Sequence, residues 1–239
     1  MKNKKKRVRE IADYIKFVFP MLVLYILFFI LPLFQTIGYS FTDYNGINPR
    51  KEFTGLTNYV DVFQDKWFYN SMLFTGKSVI LMILLANVLG FLLALALNTK
   101  IKSRNILRAI VFCPFVFNNV TVGFIWQFLL GRFMTDLYPL TGWKVFNIGW
   151  LSDSSLVLYS VVFVKLWQSI GYFMVIYLAG LQLLPQDPLE AAVLDGCTGI
   201  KMIRYMTIPL MKPTAFVCIF LAITESLNMF PLIMSLTNG

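Results

Sequence analysis

Residues 78–99 read SVILMILLANVLGFLLALALNT and contain no Asp, Glu, Lys or Arg. About 20 consecutive apolar residues form a helix long enough to cross the hydrocarbon core of a bilayer. The composition of the whole chain points the same way, because 58% of its 239 residues are hydrophobic and only 14% are charged. A soluble domain carries about a quarter charged residues. The sequence therefore predicts a membrane protein.

Four further stretches are long and apolar enough to span the membrane. They lie at residues 17–38, 109–131, 156–181 and 214–234. The two nearest the C-terminus contain one ionisable residue each, Lys165 and Glu225. The first stretch is too long for a cleaved signal peptide and is followed by more spans. The prediction is an all-α, polytopic membrane helix bundle with five spans.

The positive charge of the chain lies in two segments. Residues 1–16 hold seven Lys or Arg against two acids, and residues 99–108 hold four against none. Together they account for the formal net charge of +9. Because Lys and Arg are enriched in cytoplasmic loops, we predict a cytoplasmic N-terminal tail at 1–16 and a transmembrane domain at 17–239. Topology explains these basic segments, so we predict no nucleic-acid partner.

Residues 185–213, PQDPLEAAVLDGCTGIKMIRYMTIPLMKP, are cytoplasmic in this topology. Their first half predicts a short amphipathic helix. Asp187 is placed to cap it, with Pro188 at the first helical position and Glu190 completing a capping box. Gly196 is placed to end the helix in a left-handed conformation.

The second half of this segment predicts another short helix, from about Gly199 until Pro209 stops it. Ala191 and Ala192 in the first helix are small enough to let another surface approach closely. An ordered, amphipathic helix pair in the cytoplasm suits docking into a groove on a partner protein.

This segment resembles the EAA loop of binding-protein-dependent ABC importer permeases. Their signature is Glu-Ala-Ala, three residues, Gly, nine residues and Ile-x-Leu-Pro. Here the matching residues are Glu190-Ala191-Ala192, Gly196 and Met206-Thr207-Ile208-Pro209, with Met206 and Ile208 as conservative departures. The resemblance implies that the loop at 185–209 couples the permease to an ATPase. The residues implied in this contact are Glu190, Ala191, Ala192, Asp195, Gly196, Ile208 and Pro209.

Three other stretches resemble the carbohydrate branch of these permeases, the MalF/UgpA-like proteins. They are residues 55–59 (GLTNY), 167–172 (WQSIGY) and 236–239 (LTNG), although Pro231 stands where the family has Asp. The resemblance implies a sugar as solute and a sixth span beyond the last residue. We therefore expect the transmembrane domain to be incomplete at its C-terminus.

The resemblance also implies the partners and the location of the chain. The partners are a second permease subunit, a cytoplasmic ABC ATPase dimer, an extracytoplasmic solute-binding protein and the lipid bilayer. ATP would be bound by the ATPase, so this chain is expected to hold no cofactor. The expected location is the inner or plasma membrane, with a cytoplasmic N-terminus. The alternatives are a non-ABC secondary transporter or channel, and a truncated permease fragment that does not transport.

Polar side chains within the predicted spans are candidates for the solute path, because polar groups are costly in a membrane. The candidates are Asn118, Asn119, Gln168, Tyr172, Glu225 and Asn228. Beside Trp167, they could hydrogen-bond and stack a sugar, and interhelical hydrogen bonding explains them equally well. Lys165 lies near the outer end of its predicted span, where a lysine can extend its ammonium to the interface.

The residues offer no active site. Histidine is absent, and Cys113, Cys197 and Cys218 are too far apart in sequence for a metal-ligand spacing. No nucleophile–base pair or phosphate-binding loop is present. The sequence therefore predicts a protein that is not an enzyme and has no metal site.

Overall fold

The computed structural model describes the backbone of residues 2–47, 51–99 and 102–238, and the side chains from residue 14 onward within these ranges. Lys100 of the basic loop, Gly239 and the side chains of the basic tail before Tyr14 lie outside the described part. The described residues form helices and one isolated antiparallel bridge, between Thr42 and Phe53. The chain divides into two compact units, residues 1–70 and 71–239.

The first unit begins with a long apolar helix. It consists of α1 (Lys2–Tyr25), a π-helical turn (Ile26–Ile30) and α2 (Leu31–Tyr39), followed after a loop by α3 (Thr57–Gln64). The part from Tyr14 to Tyr39 is long and apolar enough to cross a membrane, and none of it is buried within the chain. The predicted span at 17–38 is therefore a helix whose surface is left for lipid or another protein.

Asn58 and Tyr59, in the stretch GLTNY, tie the loop of the first unit to the end of α2. The Asn58 amide donates to the carbonyls of Ser40 (3.0 Å) and Thr42 (2.8 Å). The Tyr59 hydroxyl lies 2.7 Å from that of Ser40. These bonds give the Asn-Tyr pair a local structural role.

Helix α4 (Lys66–Leu97) begins in the last residues of the first unit and continues into the second. The helices that come after α4 in the chain belong to the second unit. The helices that follow are α5 (Arg104–Phe112), α6 (Asn119–Gln127), α7 (Met134–Thr141), α8 (Val157–Gln182), α9 (Gln186–Leu194), α10 (Ile200–Met202), α11 (Ile208–Leu210), α12 (Lys212–Leu227) and α13 (Phe230–Thr237). A 3-10 turn (Cys113–Val116) follows α5, and π-helical turns join α6 to α7 and α10 to α11.

The described helices allow three membrane spans by length and composition, or up to five if each bent pair counts as one. The three are Tyr14–Tyr39, α4 and α8. One bent pair joins Arg104–Val116 to Asn119–Thr141 at 95°, and the other joins Ile200–Leu210 to α12 at 69°. The all-helical fold is as predicted, and the predicted five spans equal the upper count.

Two predicted spans are not single helices. The span at 109–131 breaks at Phe117 and Asn118, whose backbones are extended, shortly after Pro114. Proline lacks the N–H that a continuous helix would need there. The span at 214–234 ends at Leu227, and α13 starts separately with Pro231 in its first turn.

Helix α8 is the centre of the second unit and packs against α5, α6, α12 and α13. Glycines make these approaches close. A Cβ on Gly171 would lie 2.5 Å from Phe112 Cα, and one on Gly90 of α4 would lie 2.8 Å from Phe173 Cβ. Small residues let membrane helices approach in this way, and this packing holds the polar residues of α8 against the broken third span.

Candidate functional site

A buried ion pair joins α8 to α12. The ammonium of Lys165 lies 2.6 Å from Glu225 Oε2, and 3.4 Å from Asn119 Oδ1, to which it donates. Lys165 is only 2% exposed. The interpretation that its ammonium extends to the membrane interface is therefore wrong. The Glu225 carboxylate compensates the positive charge of Lys165 inside the protein, so the ammonium does not have to be hydrated.

The break in the third span supplies acceptors to the same region. Asn118 caps α6, because its side-chain oxygen accepts from the Val120 N–H at 2.9 Å. The Phe117 carbonyl has no helical partner and accepts from Gln168 Nε2 at 2.9 Å. Gln168 Oε1 is buried and lacks a hydrogen-bond partner among the described residues. An unpaired buried amide oxygen can accept a hydrogen bond from a bound hydroxyl.

Aromatic rings lie beside these polar groups. Tyr172 stacks on Phe115, with ring centroids 4.5 Å apart and planes 1° from parallel. Trp167 meets Trp126 edge to face at 5.3 Å. Trp126 Nε1 is also buried without a partner in the described part of the chain. Trp126 and Phe115 were not among the sequence candidates, and no spacing in the sequence singled them out.

Five of the six predicted path residues lie in or beside this cluster. Asn119, Gln168 and Glu225 make its hydrogen bonds and ion pair, while Asn118 and Tyr172 belong to the adjoining cap and ring stack. Asn228 does not join them: it is exposed, and its amide donates to the Thr224 carbonyl of its own helix at 3.0 Å. Lys165 was not among the six predicted path residues. Its charge, opposite to that of Glu225 in another span, could have indicated an ion pair between the two spans.

The predicted coupling loop contains α9, which ends as expected. Gly196 has a φ of +77°, and its N–H donates to the Val193 carbonyl at 3.0 Å. The Cys197 N–H donates to the Ala192 carbonyl at 2.8 Å. These two bonds form a Schellman motif, which fixes the direction of the chain after the helix.

The start of α9 differs from the prediction. The helix begins at Gln186 with Pro185 as its N-cap, and no side chain makes a capping bond. Asp187 lies inside the first turn, so the predicted capping box is wrong. An acidic residue there still interacts favourably with the positive end of the helix dipole.

The two alanines of the loop differ in environment. Ala191 is exposed, whereas Ala192 is 8% exposed and packs within the chain. Ala192 is therefore not available as part of an exposed surface in this chain, whereas the role predicted for Ala191 stays a prediction. At the C-terminal end of α9 two apolar residues are exposed as well, because Leu194 is 88% exposed and Val193 is more than half exposed.

The second half of the loop is helical past Pro209. A π-helical turn, Ile203–Thr207, leads into α11, which contains Ile208 and Pro209 and ends at Leu210. The bend comes at Met211, so the prediction that Pro209 stops this helix is wrong. Asp195, Ile208 and Pro209 are all exposed.

Glu190 lines a cavity of about 360 Å³ between the loop and the ends of the long helices. Gln186, Thr207 and Asn98 also line it. Val193 and several leucines line the same cavity, so its wall is partly apolar, while Leu194 lies outside it and is exposed. Among the described residues, no three His, Cys, Asp or Glu side chains form a group that could hold a metal ion.

Residues 86–239 match the family model described as binding-protein-dependent transport system inner membrane component. The chain is 35% identical to the probable starch degradation products transport system permease AmyD of Thermoanaerobacterium thermosulfurigenes, over all of this chain and 81% of that protein. It is 30% identical to the trehalose/maltose transport system permease MalF of Thermococcus litoralis, over 93% of this chain and 76% of that protein.

The fold is similar to a chain of a bacterial alginate ABC transporter, solved in complex with a periplasmic protein that holds an alginate pentasaccharide. The TM-score is 0.76 at 20% sequence identity, over 97% of this chain and 82% of that chain.

Proposed function

From the premise that the chain belongs to the family of binding-protein-dependent transport system inner membrane components, and is thus a permease subunit of an ABC importer, we propose that it imports a saccharide. The chain and a second permease subunit form the path. A separate cytoplasmic ATPase dimer supplies the energy. The names of AmyD, a probable permease for starch degradation products, and of MalF, a permease for trehalose and maltose, support this solute class.

The polar and aromatic cluster on α8 is the proposed path lining. It offers a carboxylate at Glu225, a free amide oxygen at Gln168 and ring faces at Trp167 and Tyr172. Sugars present both hydroxyls, which hydrogen-bond, and apolar C–H faces, which pack on rings. Ligand sites in helix bundles are built in this manner from side chains on facing helices.

The exposed apolar end of α9 carries the proposal of an ATPase contact. Val193 and Leu194 lie on a short helix whose end is fixed by the Schellman motif, and Ile200 just beyond is 82% exposed. Exposed apolar residues grouped on a rigid element mark a protein contact site. We propose that residues 185–209 dock into a groove of the ATPase, with Glu190, Ala191, Asp195, Gly196, Ile208 and Pro209 at or near the contact.

The proposed mechanism is alternating access. Closure of the ATPase dimer on ATP draws the docked loops of the two permeases together. The permeases then open outward and receive the saccharide from the extracytoplasmic binding protein. The basic segments at 1–16 and 99–108 support a cytoplasmic N-terminus, and therefore a cytoplasmic docking loop.

Leu194→Asp tests the docking surface, with Leu140→Asp as the matched control. Both leucines are more than 80% exposed, but Leu140 lies on α7, far along the chain from the loop. The charge at position 194 must be desolvated in the docked complex, so we expect at least about a tenfold loss of ATPase co-purified with the permease. Leu140→Asp should leave co-purification unchanged.

Saccharide uptake by reconstituted liposomes completes this test. Leu194→Asp should abolish ATP-driven uptake while the variant still inserts and purifies as a single species. Full co-purification and normal uptake by Leu194→Asp would refute the assignment of α9 as the ATPase contact.

A further inference from the structure

Among the side chains that the structure describes, Lys165 is the only charged one that is buried. Its partner Glu225 is not equally buried, since 29% of the Glu225 side chain is exposed against 3% of the Lys165 side chain. The pair is therefore asymmetric. The ammonium is enclosed, and the part of the pair that remains accessible belongs to the Glu225 side chain.

This asymmetry decides which charges the site accepts. An unpaired ammonium among buried amides and rings would attract a phosphate or carboxylate strongly, because charge-assisted bonds are the strongest hydrogen bonds available. With Glu225 at 2.6 Å, that charge is cancelled at short range. A solute then meets a carboxylate, which accepts hydrogen bonds from hydroxyls and repels anions.

Neighbouring groups do not restore an attraction for anions. The groups that face Lys165 and Gln168 from the broken third span are oxygens, Asn119 Oδ1 and the Phe117 carbonyl. Of the two unpaired buried atoms in the cluster, Gln168 Oε1 is also an acceptor and Trp126 Nε1 is an uncharged donor. The oxygens match hydroxyl donors, and none of these groups carries a positive charge that would attract an anion.

We infer that Glu225, through its pairing with Lys165, excludes anionic saccharides and thereby favours neutral ones over their acidic derivatives. This inference rests on the proposed function, because it takes the α8 cluster to line the solute path. The proteins compared above differ in this property. Starch products, trehalose and maltose are uncharged, whereas alginate is an acidic polysaccharide. Solute charge is thus a property that such permeases must distinguish.

Glu225→Gln tests the inference, since it keeps the shape of the side chain and leaves the Lys165 ammonium uncompensated. The probes are maltotriose and its aldonate, maltotrionate, which differ by one carboxylate. Their dissociation constants are measured by equilibrium dialysis on the assembled complex of both permeases and the ATPase dimer in nanodiscs. We expect the wild type to prefer maltotriose and Glu225→Gln to shift the ratio toward maltotrionate by at least about tenfold.

The double variant Lys165→Gln/Glu225→Gln is the second arm. It removes the accessible carboxylate without leaving a buried ammonium, so it tests the inference even where Glu225→Gln fails to assemble. The ratio should shift in the same direction by a smaller factor, about threefold. An unchanged ratio in either assembled variant, or a wild type that binds maltotrionate at least as well as maltotriose, overturns the inference.

Uptake measurements separate this inference from the proposed function. Wild-type complex with ATP and binding protein should transport maltotriose or another neutral saccharide from a panel. Uptake restricted to acidic saccharides would overturn the charge inference and leave saccharide import standing. Failure to transport any saccharide would refute the proposed function and the inference with it.

Discussion

Helices α8 and α9 are separated by only a short turn, yet they relate to the rest of the protein in opposite ways. More than half of α8 is buried, including Lys165 and Gln168, whereas Ala192 is the only buried residue of α9. In α8 most of the buried polar groups named above find partners within the chain, although Gln168 Oε1 does not. In α9 apolar side chains lie exposed. Contacts within the chain therefore account for the position of α8, whereas the apolar side chains of α9 make few such contacts, and this supports the proposed docking of α9 on the ATPase.

The largest effect is expected at the closest packing in α8. Gly171→Val would drive a branched side chain into the backbone of α5 at Phe112, where even a Cβ has no room. We expect a loss of about 3 kcal/mol or more in stability, and little folded protein. The control is Gly131→Val, because no atom lies within 4 Å of a Cβ there. The yield of monodisperse protein in detergent measures both variants, and equal yields would mean that α8 and α5 do not pack closely.

The next effect distinguishes the two faces of α9. Ala192→Asp places a carboxylate within the chain's own packing and should destabilise the fold by about 2 kcal/mol. Ala191→Asp, on the exposed face, should unfold at the wild-type temperature but fail to retain the ATPase. Thermal unfolding and co-purification are measured for both. If the two variants exchanged these phenotypes, the assignment of the inner and outer faces would be reversed.

The smallest effect concerns one hydrogen bond of α8. The Tyr177 hydroxyl donates to Asn87 Oδ1 of α4 at 2.6 Å. Tyr177→Phe should cost about 0.6 kcal/mol, the usual value of such a bond within a membrane bundle. Tyr159→Phe, at an exposed position of the same helix, should cost nothing measurable. A loss in thermal stability that is equal for both variants would show that the bond contributes nothing.

Much of the fold could be predicted from local sequence. Charge-free runs such as 78–99 predict helices long enough to cross a bilayer, because only their length and apolarity matter. Gly196 predicted the left-handed end of α9 for an equally local reason, the absence of a Cβ. The breaks in the spans at 109–131 and 214–234 were harder to predict, since membrane helices often continue through proline.

Fewer of the residues that form the candidate site could be predicted from the sequence. Asn119, Gln168 and Glu225 were recognisable as costly polar groups in a membrane. Trp126 and Phe115 were not, because an aromatic ring in an apolar helix is indistinguishable from one that faces lipid. The burial of Ala192, next to the exposed Ala191, could not be predicted either, because it depends on which other helices pack against α9.

The sequence by itself determined that this protein is a helical membrane protein with a short, glycine-terminated helix after its fourth apolar stretch, because these properties depend on residues close together in the chain. Only the tertiary structure decided that Lys165 pairs with Glu225, that the broken third span offers its Phe117 carbonyl to Gln168, and that α8 lies at the centre of its unit. These contacts join residues tens of positions apart. Their formation depends on which helix faces pack together, and no local pattern specifies that choice.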